Sequence, residues 1–260
     1  MIADYLAAYD SQLRGRSEAA HAVDAVEFGP LLLAEFDGGR GFISGRDLDL
    51  TDLGGLVDAA LEHFTSRPGI RSVEWKTRAH DPAPGLADAL MARGFQPEDT
   101  ESIMVGEAAL LVQDVSLPDG VELRRATTDD EVLAMERMQG LVFGDRDWRS
   151  RADATLRRLR VDDSLQLWTA VAGAEVISAG RLEPVENTEL AGLWGGATLP
   201  EWRGRGIYRA LTAERARAAL ALGRRYLQSD STEFSRPILE RAGLVRVSTT
   251  TPYVWTPLPG

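Results

Sequence analysis

The segment Thr198–Arg209, Thr-Leu-Pro-Glu-Trp-Arg-Gly-Arg-Gly-Ile-Tyr-Arg, gathers the residue types that hold an anion. Gly204 and Gly206 let the main chain approach a ligand closely. A helix predicted to begin at Gly206 or Ile207 leaves its first N–H groups without intrahelical acceptors, and its dipole adds roughly half a positive charge there. Arg203, Arg205 and Arg209 add full charges beside that start. A pyrophosphate suits such a loop. Two other phosphate loops do not fit: GxxxxGK[ST] is absent, and GxGxxG fails because Arg209 stands where its third glycine belongs. RNA is disfavoured as the partner, since the Arg-Gly pair has a single copy, no interleaved aromatics and an acidic chain around it.

The elements that position this loop follow from patterning. Leu190–Leu199 is a strand that runs into it and ends at Pro200; the helix after it carries Ile207, Leu211, Ala218 and Leu222 on one stripe and stops at Gly223. Before the strand come Val121–Arg125 as a strand, a helix capped at Thr128 or Asp129 with Val132, Met135 and Met138, a helix at Arg149–Leu159, and a hairpin of Leu165–Val171 and Glu175–Leu182 around Gly173. After the helix come a strand at Arg225–Gln228, a short helix at Pro237–Ala242 ended by Gly243, and a β-rich close at Val245–Trp255. Trp194 and Trp202 fit either a cleft wall or ordinary packing.

The first part of the chain repeats this order. Leu31–Phe36 and Gly41–Ser44 form a hairpin, Thr51 caps a helix through Leu56, Ala60, Leu61 and Phe64, Ser72–Thr77 is a strand, Leu86–Arg93 is a helix stopped by Gly94, and Glu101–Val105 is a strand. One alignment of the two parts sets Asp81 on Asp230, Leu90 on Leu239, Gly94 on Gly243 and Val105 on Val254, which supports a duplicated module. An apolar, strand-like run at Ala108–Val112 precedes the polar stretch Asp114–Gly120, so the expected domains are 1–117 and 118–260.

Composition limits the chemistry. The 260 residues allow one large domain or two ordinary ones, and 44% hydrophobic with 27% charged residues is globular. No apolar run approaches the ~20 residues of a membrane helix, and the N-terminus does not resemble a secretory signal, so the cytoplasm is the expected compartment. With no Cys, disulfides and thiolate catalysis are excluded. The three His, at 21, 63 and 80, all lie early and lack metal-ligand spacing, so no metal is expected. The net charge of −11 falls entirely on the first part: residues 1–117 hold 9 basic and 20 acidic side chains, while the rest balance at 20 and 20. That acidic half repels a nucleic-acid backbone and favours a cationic partner.

Arg203-Gly204-Arg205-Gly206-Ile207-Tyr208 resembles the acyl-CoA loop [QR]xxGx[GA] of the GCN5-related N-acetyltransferases (GNAT) at its Arg and central Gly. Thr198–Trp202 is similar to that family's V-x-P-x-[YF] lead-in, and Ser235, Ile238 and Gly243 fit its N-x-x-[AS]-x-x-L-Y-x-x-x-G-F motif. Tyr208 departs from the small residue of the loop, Thr232 from the Asn, and Leu239 from a Tyr that in many members protonates the departing CoA thiolate. The resemblance covers about residues 120–256 and implies an α/β fold with a mixed sheet, two GNAT-like modules in tandem, the first degenerate.

It also implies transfer of an acetyl group from acetyl-CoA to a primary amine of a small molecule or peptide, by direct attack on the thioester. Thr198, flanked by Ala197 and Leu199, would meet the pantetheine arm; Arg203 through Arg209, with Gly204, Arg205, Gly206, Ile207 and Tyr208, would hold the pyrophosphate, and Thr232 and Ser235 would border the cofactor. The amine needs a base. Without His in this part, Glu183 and Glu189 are the candidates, though both also fit solvent-facing positions. Tyr208, Tyr226, Tyr253 and Ser235 are candidate proton donors, and Ser235 also fits a cap of the following helix. The first module has no Arg/Gly loop, and Asp47, Asp49 and Asp52 stand where the second has arginines. A monomer or homodimer is expected, with no nucleic acid or membrane partner. The alternative is a non-catalytic acyl-CoA-binding or regulatory module.

Overall fold

The computed structural model describes residues 1–48 and 52–257. The chain opens with α1 (Ile2–Gln12), followed by β1 (Asp24–Phe28), β2 (Leu31–Phe36), β3 (Arg40–Gly45), α2 (Leu53–Thr65), β4 (Ser72–Arg78), α3 (Leu86–Met91), β5 (Gln96–Pro97) and β6 (Glu101–Glu107). Then come α4 (Ala108–Leu111), β7 (Val121–Arg125), α5 (Asp129–Phe143), α6 (Trp148–Leu159), β8 (Gln166–Ala172), β9 (Glu175–Pro184) and β10 (Leu190–Thr198). The last elements are α7 (Ile207–Ala221), β11 (Tyr226–Ser231), α8 (Arg236–Ala242) and β12 (Val245–Trp255).

Two compact units result. The first collects Met1–Met104, Asp230–Arg236 and Arg246–Gly260; the second holds Val105–Ser229 and Pro237–Val245. This division is not a single cut at 117. The stretch Asp114–Gly120 lies inside the second unit, and most of β12 belongs to the first. The physical reason is strand pairing: Thr250–Trp255 align antiparallel with Arg78–Val73 of β4, and Val254 and Tyr253 also pair with β5. The Ala108–Val112 run is not a strand. Ala108–Leu111 form the helical turn α4, with Ala108 and Leu111 buried, because Ala and Leu lack the β-branching that favours extended chain.

In the first unit, β1, β2 and β3 form an antiparallel meander, and β3 then pairs parallel with β4 through the crossover helix α2. Leu33, Ile43, Val57, Phe64, Val73 and Trp75 make its core, with Trp75 edge-on to Phe95 at 6.3 Å. Thr51, Asp49 and the intervening residue lie outside the described residues; the cap of α2 is Asp52, whose carboxylate accepts the Gly55 N–H at 2.7 Å.

In the second unit the strand order is β11-β10-β9-β8-β7. β7 through β10 are antiparallel, and β10 pairs parallel with β11 through the crossover helix α7. Val132, Met135, Leu167, Ile177, Ile207 and Leu211 are buried in one core. A capping box starts α5: Thr128 Oγ1 accepts from Glu131 N at 3.3 Å, and the Glu131 carboxylate accepts from Thr128 N at 3.1 Å. Both units thus repeat one arrangement, a strand, a crossover helix and a parallel strand. The expected fold class, a mixed α/β architecture, is what the structure shows.

Candidate functional site

The Arg/Gly segment stands between β10 and α7. Pro200–Trp202 make one 3-10 turn, and Gly206 caps α7 at φ +80° with no side-chain hydrogen bond to the helix. The first backbone bond at this end is Ala210 N–H to Gly206 O at 2.9 Å. Among the described residues, the N–H groups of Gly204, Arg205, Gly206, Ile207, Tyr208 and Arg209 have no acceptor. That is a run of donors at the positive end of a helix. Arg203, Arg205 and Arg209 form no ion pair among the described residues. Arg205 lies over the Trp202 ring at 4.9 Å, and Arg203 Nε donates to Thr198 O at 3.1 Å. The helix of the first unit differs: its N-terminus is filled by its own Asp52 carboxylate.

β10 itself opens a slot. Its parallel pairing with β11 runs from Leu190–Tyr226 to Gly192–Gln228 and stops there, although β10 continues to Thr198. In the first unit the same parallel pair stays closed along β3, from Arg40–Ser72 to Ser44–Lys76. On the β9 side the register of β10 shifts between Trp194 and Ala197, a bulge with Gly195 at φ +61°. Leu199 N–H bonds to Ile177 O at 2.9 Å, so strand alternation turns the Thr198 main chain toward the edge that β11 has left. Ser178 Oγ donates to Ala197 O at 2.7 Å and fixes the exit from the bulge.

Two helices reach the bulge. Gln139 of α5 donates from Nε2 to Gly195 O at 2.5 Å. Tyr208 of α7 stands against Gly196, where an added Cβ would lie 2.6 Å from its Cε2 and 2.7 Å from its hydroxyl oxygen. Behind Tyr208 lies Arg215, 1% exposed. Burial pushes the Arg215 pKa down, opposed by Tyr208.

The sequence candidates separate. Ala197, Thr198, Leu199 and the residues from Arg203 to Arg209 come together at the slot and the helix start. Glu183 sits opposite Gly192, away from the bulge, and its carboxylate is held by Arg158 at 2.9 Å and Arg181 at 3.2 Å. Glu189 is exposed just before β10, at the end opposite the loop. Tyr226 begins β11 at that same end, and Tyr253 packs in the first unit's core. Thr232 and Ser235 form a turn before α8, with Ser235 Oγ donating to Thr232 O at 3.3 Å. Leu239 is buried, so α8 offers no hydroxyl there. On α7, Ile207 and Leu211 are buried as expected, but Leu222 is 40% exposed because the helix ends at Ala221; Arg215 takes a place in the buried stripe. The sequence reading misses Gln139 and Arg215. The Gly195-Gly196 pair, not singled out in the sequence, is the local signal that could have disclosed the bulge.

No family model and no curated protein matches the sequence. Solved structures do match the fold. A GCN5-related N-acetyltransferase from Kribbella flavida is 14% identical, with a TM-score of 0.70 over 94% of this chain and 95% of that one. A GCN5-related N-acetyltransferase from Sphaerobacter thermophilus is 16% identical, with a TM-score of 0.65 over 89% and 78%. A tandem GNAT protein from the clavulanic acid biosynthesis pathway is 14% identical, with a TM-score of 0.63 over 88% and 79%. The chain therefore has the GNAT fold.

Proposed function

We propose that the second unit transfers an acetyl group from acetyl-CoA to a primary amine of a small molecule or peptide. The observation that carries this reading is the meeting, at the mouth of a strand slot, of six N–H groups without acceptors and three arginines without ion pairs among the described residues. In this reading the loop amides, with Arg203, Arg205 and Arg209, bind the pyrophosphate. The Thr198 main chain holds the pantetheine arm along the edge β11 has left. Gln139 fixes the bulge, whose main-chain N–H groups face developing negative charge on the carbonyl oxygen. Acetyl-CoA supplies the activated carbonyl, and no enzyme nucleophile is needed. The fold shared with GNAT structures supports the assignment.

Calorimetric titration of acetyl-CoA into the wild type and into an Arg205→Ala, Gly206→Glu double variant tests it. Micromolar binding in the wild type, lost in the variant, is expected; no binding to the wild type refutes the reading. Release of CoA thiol with a panel of polyamines, aminoglycosides and basic peptides then follows. Leu239, buried at the position where the resembling GNAT motif carries a tyrosine, favours a second reading as a non-catalytic acyl-CoA-binding module. Binding without thiol release on any amine would select it.

A further inference from the structure

Arg215 is a buried cation that forms no ion pair with a carboxylate among the described residues. It is 1% exposed, and its donors go to Leu211 O at 3.3 Å, Arg181 O at 3.2 Å and Thr212 Oγ1 at 3.3 Å. All three acceptors are neutral. Gly180 on β9 makes the space: an added Cβ would collide with the guanidinium. Tyr208 is the titratable neighbour that bears on this charge, and the guanidinium carbon lies 6.0 Å from its ring centroid. The Tyr208 hydroxyl in turn stands against Gly196 at the bulge. Cation, phenol and bulge are thus successive neighbours. An uncompensated buried charge is costly and persists where a negative charge completes the site.

We propose that Tyr208, backed by Arg215, holds the sulfur of CoA as a thiolate at the β10 bulge. This rests on the function proposed above and replaces the hydroxyl that Leu239 does not provide. As the amine nitrogen bonds to the carbonyl carbon and the carbon–sulfur bond breaks, the bonding pair stays on sulfur. The Tyr208 O–H donates a hydrogen bond to it, and Arg215 offsets its charge through the phenol. The surplus amine proton passes to water, and CoA leaves as thiolate or takes a solvent proton. Tyr208 is then the catalytic residue and Arg215 a positioning residue. The other groups near the bulge are the neutral Gln139 of α5 and Arg181 of β9, which shares the Glu183 carboxylate with Arg158.

The test needs no acceptor. CoA itself is bound to the full chain, and thiolate absorbance in the ultraviolet is followed against pH. In the wild type the midpoint is expected at least about one pH unit below that of free CoA, the shift a nearby cation and donor produce. Tyr208→Phe and Arg215→Met should return it most of the way to the free value, and Arg215→Lys should keep it low. Should Arg215→Met not fold, Tyr208→Phe decides alone. An unshifted midpoint with CoA bound overturns this proposal and leaves the proposed function standing. A lowered midpoint unchanged in Tyr208→Phe assigns the effect to the loop arginines and also overturns it. No CoA binding overturns both.

Discussion

Replacing Gly206 by alanine separates the cost of a backbone conformation from the cost of blocking a ligand. Gly206 holds φ +80° and ψ −8°. An added Cβ would meet Val115 Cγ1 at 3.5 Å, Arg209 Nη2 at 3.8 Å and Ser116 O at 3.9 Å, all ordinary contacts. Stability should therefore fall only by the left-handed backbone penalty, about 1 kcal/mol. In a melt this is a shift of roughly 2–4 °C. Binding should suffer more. The methyl is added at the middle of the run of six open amides, and displacing one or two charge-assisted bonds at about 1.5–3 kcal/mol each lowers acetyl-CoA affinity by tenfold to more than a hundredfold. The assay is urea denaturation paired with calorimetry at one fixed salt concentration. Gly206→Asn is the companion, since asparagine tolerates this backbone but still adds bulk. It should recover much of the stability and little of the affinity. Wild-type affinity in Gly206→Ala would refute the idea that these amides receive the anion. A stability loss above about 3 kcal/mol would refute the conformational account.

Further outcomes follow from the same contacts. Gly180→Ala should cost about 2–3 kcal/mol in denaturation, since the new methyl displaces a guanidinium with no solvent to enter and leaves its carbonyl acceptors unpaired. Lys76→Met should cost about 3–5 kcal/mol, because it strips the ammonium 2.6 Å from the nearly buried Asp230, and Asp230→Asn in the same chain should restore much of that. Burial opposes the charge on Lys76, but Asp230, Tyr9 and Glu18 together outweigh it and hold the Lys76 pKa above the usual lysine range. A raised folded-state value gives stability present below the unfolded lysine pKa and lost only as pH rises through the folded one. Denaturation midpoints of wild type and Lys76→Met should therefore keep a constant difference from pH 7 to about 10. Thr128→Ala should cost about 1 kcal/mol. The amides of Thr127 and Thr128 hold the Glu131 pKa below the usual range, so this cap's contribution should fade only as pH drops through that lowered value.

What the sequence discloses is what depends on neighbours along the chain. The loop glycines, the Thr128 cap and the Gly223 stop are set by local geometry, and each stands where expected. What it hides depends on partners far away. Glu183 reads as an available carboxylate until Arg158 of α6 and Arg181 of β9 close on it. Arg215 is invisible to apolar periodicity because a charged residue fills a buried turn of the stripe. α1 escapes because its buried face consists of two tyrosines, Tyr5 and Tyr9. Val245–Trp255 is legible as a strand, but extended chain does not say which edge it will join, and it joins β4.

That last pairing bears on how the protein is made. The first unit draws its sheet from residues at both ends of the chain, so its β4 edge waits, unpaired, while everything from Met104 onward is synthesised. A ribosome delivers residues at roughly 5–20 per second, which leaves that edge open for many seconds. The second unit has nearly all of its strands earlier than β12 and is free to fold first, reversing the order of translation. Fragments ending near residue 117 would carry the open edge permanently, a template for aggregation. Bisecting this gene at its apparent linker would yield not two modules but one fragment awaiting its final strand.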